Sequence, residues 1–247
     1  MQSDVNKNAP LLSIITVTKN CGSTIERTLE SIQAIKAPDI QYIIIDGKSI
    51  DETLATISRY QHLVDLLISE EDTGIYNAMN KGAAAAQGKY ILFINGDDHI
   101  LADGFNRAKI ILDRDTPEIL SCQSEVFAQN GAKDSLIGPS LWLLLFFNSI
   151  PHLSTFVSAE LQKKYKFREA FKIAADYDLF LRLFLNGHRF TLSELVISVH
   201  NRGGFSNNLV QAVAEINQIR KDNLGTVLYS FTRGLECLNK LKKALLR

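Results

Sequence analysis

The segment Ile91-Leu92-Phe93-Ile94-Asn95-Gly96-Asp97-Asp98 reads as a buried apolar strand that stops on two adjacent carboxylates. A short run of large apolar residues closed by turn residues suits an interior strand of a sheet covered on both faces. Neighbouring like charges at the end of such a strand repel each other unless something cationic sits beside them. A hard divalent ion with oxygen ligands is one answer, and Mg²⁺ or Mn²⁺ typically also holds a substrate phosphate. An acidic turn or a helix cap is the plainer alternative.

The rest of the first half repeats this grammar. Residues 11–17, 41–45, 64–68 and 89–94 are apolar, strand-like runs. Between them, residues 23–34 place Ile25, Leu29 and Ile32 on one helical face behind Ser23 or Thr24 as a cap. A second helix is expected to start near residue 49, where Ser49 and Glu52 fit a capping box, and a third, alanine-rich one spans 75–86. Strands alternating with helices predict an α/β fold, a mostly parallel sheet flanked by helices. Ligands of such sheets lie outside the carboxyl ends of the strands. Those ends carry Thr18-Lys19-Asn20, Asp46-Gly47, Glu70-Glu71-Asp72 and Asp97-Asp98, an acidic set on one rim.

Past residue 115 the pattern changes to strands over 118–128 and 135–137 around an Asn130-Gly131 turn, a helix over 176–184 and a strand over 196–200. No linker rich in Pro, Gly or Ser and no repeat divides the 247 residues, so the second half is expected on the same sheet. Zero formal net charge disfavours a nucleic-acid binder. Three scattered cysteines, Cys21, Cys122 and Cys237, lack metal-ligand spacing and suggest a reducing compartment. With no apolar leader in residues 1–10 and no apolar run long enough to span a bilayer, the expected location is cytoplasmic. No G-x-G-x-x-G follows the first strand, and the P-loop-like stretch 82–89 is one residue too long, has Tyr90 where Ser or Thr is needed, and runs from helix into strand.

Four segments in order, Ser13-Ile14-Ile15-Thr16-Val17-Thr18-Lys19-Asn20, Ile45-Asp46-Gly47-Lys48-Ser49-Ile50-Asp51-Glu52-Thr53, Glu71-Asp72-Thr73-Gly74-Ile75-Tyr76-Asn77-Ala78-Met79-Asn80-Lys81-Gly82 and Asn95-Gly96-Asp97-Asp98, resemble family 2 of the glycosyltransferases, of GT-A (Rossmann-like) fold. The stretch from Gly74 to Gly82 is most similar to bacterial enzymes that build surface or exported polysaccharides. The resemblance covers residues 11–205 and implies a nucleotide-sugar half, 11–115, and an acceptor half, 116–205, followed by terminal helices over 206–247 and preceded by a flexible 1–10. It implies that Thr18 and Asn20, with Asp46, hold base and ribose, that Asp72 and Lys81 serve the donor, and that Asp97 carries Mn²⁺ or Mg²⁺ on the donor diphosphate while Asp98 orients ligands or touches sugar. Asn95 stands where the family's D-x-D motif has its first acid. A late loop, His200-Asn201-Arg202-Gly203-Gly204-Phe205-Ser206, supplies His200 as a metal ligand and Arg202 as a phosphate partner in the same reading. His152, in Pro151-His152-Leu153-Ser154, is expected on the acceptor side.

Asp176 and Asp178 cannot share a helical face, since residues two apart point in different directions. Asp176 lies at the helix start, where the dipole favours an ionised carboxylate, and the resemblance makes it the general base on the acceptor hydroxyl. Here Ala175 precedes it where the family often has Glu. Asp178 is expected to pair with Arg182. In the tail, Leu235, Leu238, Leu241 and Leu245 repeat at helical spacing among Lys240, Lys242, Lys243 and Arg247, which suits either peripheral membrane contact or packing on its own domain or a homodimer partner. The whole is the expected pattern of a metal-dependent, inverting transferase that moves a sugar, most simply from a UDP-sugar, to a glycan or lipid-linked acceptor. A non-catalytic nucleotide-sugar-binding module and a sugar-phosphate nucleotidyltransferase are the alternatives.

Overall fold

The computed structural model describes residues 9–128, 131–201 and 208–245, with side chains up to residue 234. It opens with β1 (Leu12–Thr18), α1 (Ile25–Gln33), β2 (Ile40–Asp46), α2 (Thr53–Arg59), β3 (Leu66–Ser69), α3 (Ile75–Ala85) and β4 (Tyr90–Asn95). There follow β5 (His99–Ile100), α4 (Ala102–Asp115), β6 (Ile119–Phe127), β7 (Lys133–Ile137), β8 (Thr155–Ser158), α5 (Ala159–Tyr165), α6 (Ala175–Leu185), β9 (Phe190–Asn201) and α7 (Leu209–Leu245).

The strands of the first half pair in parallel, as the alternation of elements implies, and their order is β3-β2-β1-β4. The second half extends the same sheet through β8, β6, β9 and β5, and there the pairs are mixed: β4 with β8 and β6 with β8 are antiparallel, β6 with β9 parallel. Every residue of β1 and β2 is buried, so side chains of both pleat faces enter cores. Ile15, Val17, Ile91 and Phe93 pack under α3, α5 and α6, whereas Leu12, Ile14, Leu92 and Ile94 pack under α1 and α4. Helices on both faces leave only the strand ends open to a ligand.

Two expected caps are replaced by other bonds. α2 starts at Thr53, not near Ser49; the Ser49 hydroxyl is drawn to Asp46, and Asp51 Oδ1 accepts the Thr53 amide at 3.0 Å. Thr24 precedes α1, but its hydroxyl donates to the Gly96 carbonyl at 3.0 Å, tying the helix to the end of β4. α7 changes direction at Gly225, where φ is 66°. No helix among the described residues is long and apolar enough to cross a membrane. The leucines of the tail from 235 onward fall beyond the described side chains.

Candidate active site

The ends of β1, β4 and β9, the starts of α3 and α6, and the first turns of α7 surround a cleft of about 970 Å³, large enough for a nucleotide sugar. Thr18, Asn20, Asp72, Asp97, His152, Asp176 and His200 all line it, although they come from opposite ends of the chain. Asn20 also fixes the rim: its Oδ1 accepts the Ile50 amide at 3.0 Å. Asp72 Oδ1 accepts the Gly74 amide at 2.9 Å, and a Cβ on Gly47 would lie 2.3 Å from Asp72 Oδ2. Glycine at 47 is therefore what lets the β2 turn pass close to this carboxylate.

Three residues expected to touch the donor have protein partners that tie the scaffold together. Asp46 is fully buried; its carboxylate accepts the Ser49 amide at 3.0 Å, the Ser69 hydroxyl at 2.6 Å and the Ser49 hydroxyl, so it builds the turn after β2. Lys81 donates to the Glu71 carbonyl at 2.9 Å and pairs with Glu70 at 2.7 Å. Asp98, its side chain out of water, accepts from Asn95 Nδ2 at 3.1 Å and the Asn201 amide at 2.9 Å, with His200 Nδ1 at 3.2 Å. It clasps the end of β9 to the end of β4. Arg202 lies outside the described residues. Asn77 and Asn80, within the stretch that carries the family resemblance, point to Glu169 at 3.0 Å each, so they fix α3 against the segment before α6.

Buried polar groups almost always have partners, and each exception calls for a reason. Among the described residues, His99 Nδ1 and the Gln162 amide are buried without a hydrogen-bond partner away from the cleft, and Thr18 Oγ1, Asn95 Oδ1 and His152 Nε2 are so in residues that line it. Polar atoms withheld from the protein and gathered at one cavity are what a polar ligand would satisfy.

Asp176 sits in the first turn of α6 and is 5% exposed. Asn148 Nδ2 donates to its Oδ2 at 2.7 Å, His152 Nδ1 lies 3.5 Å from the same oxygen, and the Tyr76 hydroxyl is 3.2 Å from Oδ1. Burial works to raise its pKa, but the hydrogen bond and charge of His152, the Asn148 bond and the Tyr177 amide outweigh it and hold the carboxyl below its usual range. It is thus an ionised acceptor at neutral pH despite its burial. Burial, then the Asp176 charge, push the Tyr76 phenol well above its ordinary value, so it remains a donor. Asn148 lies in no motif, and Tyr76, though inside the stretch from Gly74 to Gly82, is assigned no role from the sequence. Asp178 faces the other way, fully buried between Arg168, Arg182 and Asn223. The pairing with Arg182 holds, but inside the protein and not on its surface.

Asp97 is the carboxylate open to the cleft at the end of β4 and has no ion pair among the described residues. Burial, then the neighbouring Asp98 charge, push it up to about 6. Among the described residues no three His, Cys, Asp or Glu side chains converge as a ready metal cage. The donor set, the Asp97 carboxylate with the unpartnered Asn95 amide oxygen, fits a hard ion that takes its remaining ligands from a diphosphate and water.

Residues 13–160 match the model of glycosyl transferase family 2. The chain belongs to that family. A PGL/p-HBAD biosynthesis glycosyltransferase of Mycobacterium tuberculosis is 32% identical over 216 residues, covering 82% of this chain and 81% of the relative. The putative teichuronic acid biosynthesis glycosyltransferase TuaG of Bacillus subtilis is 34% identical over 92 residues, 36% of each chain. In three dimensions the family 2 chain superposes on S. aureus TarS 1-349 with a TM-score of 0.66 at 19% identity, over 85% of this chain and 64% of that one. The chain thus spans just under two thirds of the TarS structure, which has also been solved in complex with UDP and with UDP-GlcNAc. The expected α/β fold and the expected class, a sugar-transferring enzyme of family 2, both hold.

Proposed function

We propose that this family 2 member transfers a sugar, with inversion, from a nucleotide-diphospho-sugar to a hydroxyl of a glycan or lipid-linked acceptor in building a bacterial surface polymer. The observation that carries the reading is Asp176: an ionised, oriented carboxylate in the wall of a cleft whose other side bears Thr18, Asp72 and Asp97. A UDP-sugar is favoured as donor, because the TarS fold neighbour binds UDP-GlcNAc. The names of the bacterial relatives favour the polymer. Trp142, Leu143 and Phe147 remain exposed beside Asn148, which suits an acceptor with a lipid portion at the cytoplasmic membrane face.

In mechanism, the Asp176 carboxylate accepts the proton of the acceptor hydroxyl as its oxygen attacks the anomeric carbon. Asn148 and His152 keep that carboxylate oriented. A single displacement inverts the anomeric centre and releases nucleoside diphosphate. Mn²⁺ or Mg²⁺, held through Asp97 with Asn95 and His200 nearby, would supply charge neutralisation at the diphosphate. Thr18 and Asp72 would hold the nucleoside side of the donor.

One experiment tests both halves. Wild type and Asp176→Asn are compared for thermal stabilisation by UDP, GDP, ADP and dTDP with and without Mn²⁺, and for nucleoside diphosphate release from the matching sugars. A nucleotide at about 100 times its Kd stabilises by roughly 2.7 kcal/mol. Both proteins should show that metal-dependent shift, whereas turnover of the variant should fall about 10²- to 10⁴-fold. Equal turnover would remove the base assignment, and no shift with any nucleotide would favour a module without donor chemistry.

A further inference from the structure

α7 grips the loop before Asp176 through one carboxylate. Glu215 Oε2 accepts the main-chain amides of Ile173 at 2.8 Å and Ala174 at 3.0 Å, and its Oε1 accepts the Lys172 amide at 2.9 Å. Three successive N–H groups converging on one anion form a backbone nest, a geometry that orders the peptide carrying them. That peptide is the approach to α6, and Asp176 lies two residues beyond Ala174. Gln211 Nε2 donates to Glu215 Oε1 at 2.9 Å and holds the carboxylate in place. From the opposite side, the Tyr76 hydroxyl donates to the Ile173 carbonyl at 2.7 Å, and Lys172 Nζ to the Thr73 carbonyl at 3.2 Å. The loop is therefore held between α3 and α7. Burial opposes ionisation of Glu215, but the amides and Gln211 outweigh it and keep the carboxyl below its usual range. On the same turns of α7, Ala212 and Ile216 line the cleft itself.

We propose that Glu215 is a positioning residue for acceptor activation: by gripping residues 172–174 it aims Asp176, and it makes α7 a working part of the active site. The proposal rests on the reading of Asp176 as the base. A strut that served only folding would need no contact with this loop; Glu215 spends its oxygens on it.

The test uses Glu215→Gln and Glu215→Ala in the full chain, beside Asp176→Asn. Nucleoside diphosphate release gives kcat and donor KM, and hydrogen exchange reads the amides of 172–174. Alanine should release those amides to exchange and lower kcat about ten- to a hundredfold, the scale set by a small misplacement of a reacting group. Donor KM should stay within about twofold, since the ground-state donor contacts are untouched. Glutamine keeps the shape and one acceptor oxygen, so it should fall between wild type and alanine and is the variant to read if alanine unfolds. Unchanged kcat, unchanged protection of 172–174, or a donor KM that rises as kcat falls would overturn the proposal. If Glu215→Gln and Glu215→Ala are silent while Asp176→Asn is crippled, only the positioning role fails. If all three are silent, the base assignment fails and the positioning role with it.

Discussion

At the scale of single residues, Asp176 was legible because a short motif puts it at a helix start, and the dipole argument for an ionised carboxylate needs only that position. What tunes it was not legible. Asn148 and Tyr76 are 28 and 100 residues away in sequence, and no local pattern announces either bond. The partners of Asp46 were hidden for the same reason: its hydroxyl donors come from the following turn and from β3, 23 residues on. His152 gives a test with a definite sign. Burial is the strongest influence on Asp176 and raises its pKa; His152 is the strongest opposing one. Replacing His152 by alanine should therefore move the acid limb of kcat/KM, the loss of activity as Asp176 gains its proton, to higher pH. A limb that stays where wild type has it would show that His152 does not govern this carboxylate.

At the scale of elements, the strands of the first half were readable from apolar runs and the helices from their spacing. α4 is missing from that reading, although Phe105, Ala108 and Leu112 repeat at three and four residues on its buried face. β5 is not, because a two-residue strand exists only through its pairing with β9. α4 lies against β9 so closely that a Cβ on Gly104 would sit 1.9 Å from the Val196 carbonyl oxygen. Helix propensity alone would make Gly104→Ala stabilising by roughly 0.8–1 kcal/mol. The blocked approach should reverse that sign and cost about 1–3 kcal/mol, the price of overpacking, in denaturant unfolding. A stabilised variant would mean that α4 can retreat from the sheet without loss.

For the whole molecule, local alternation predicted the parallel β3-β2-β1-β4 half, but the insertion of β8 between β4 and β6 depends on pairings that nothing nearby in sequence specifies. The helices of the second half are then locked to one another through one buried carboxylate. Asp178 takes Arg168 from the segment after α5, Arg182 from its own helix and Asn223 from α7, with no exposure of its side chain. Removing one partner of a buried ion pair typically costs about 3–5 kcal/mol. Asp178→Ala should fall near the lower end, because Arg168 reaches water and regains hydration. A loss below about 1 kcal/mol by chemical denaturation would mark the pair as no more than a surface one.

The Glu215 contact also has a consequence in time. A chain leaving the ribosome from its first residue can pair β1, β2 and β4 and form the nucleotide side of the cleft early. The loop before Asp176 gains its anchor only after residue 215 has emerged. On the proposed reading, the part of the cleft that activates the acceptor is thus the last to be finished during synthesis.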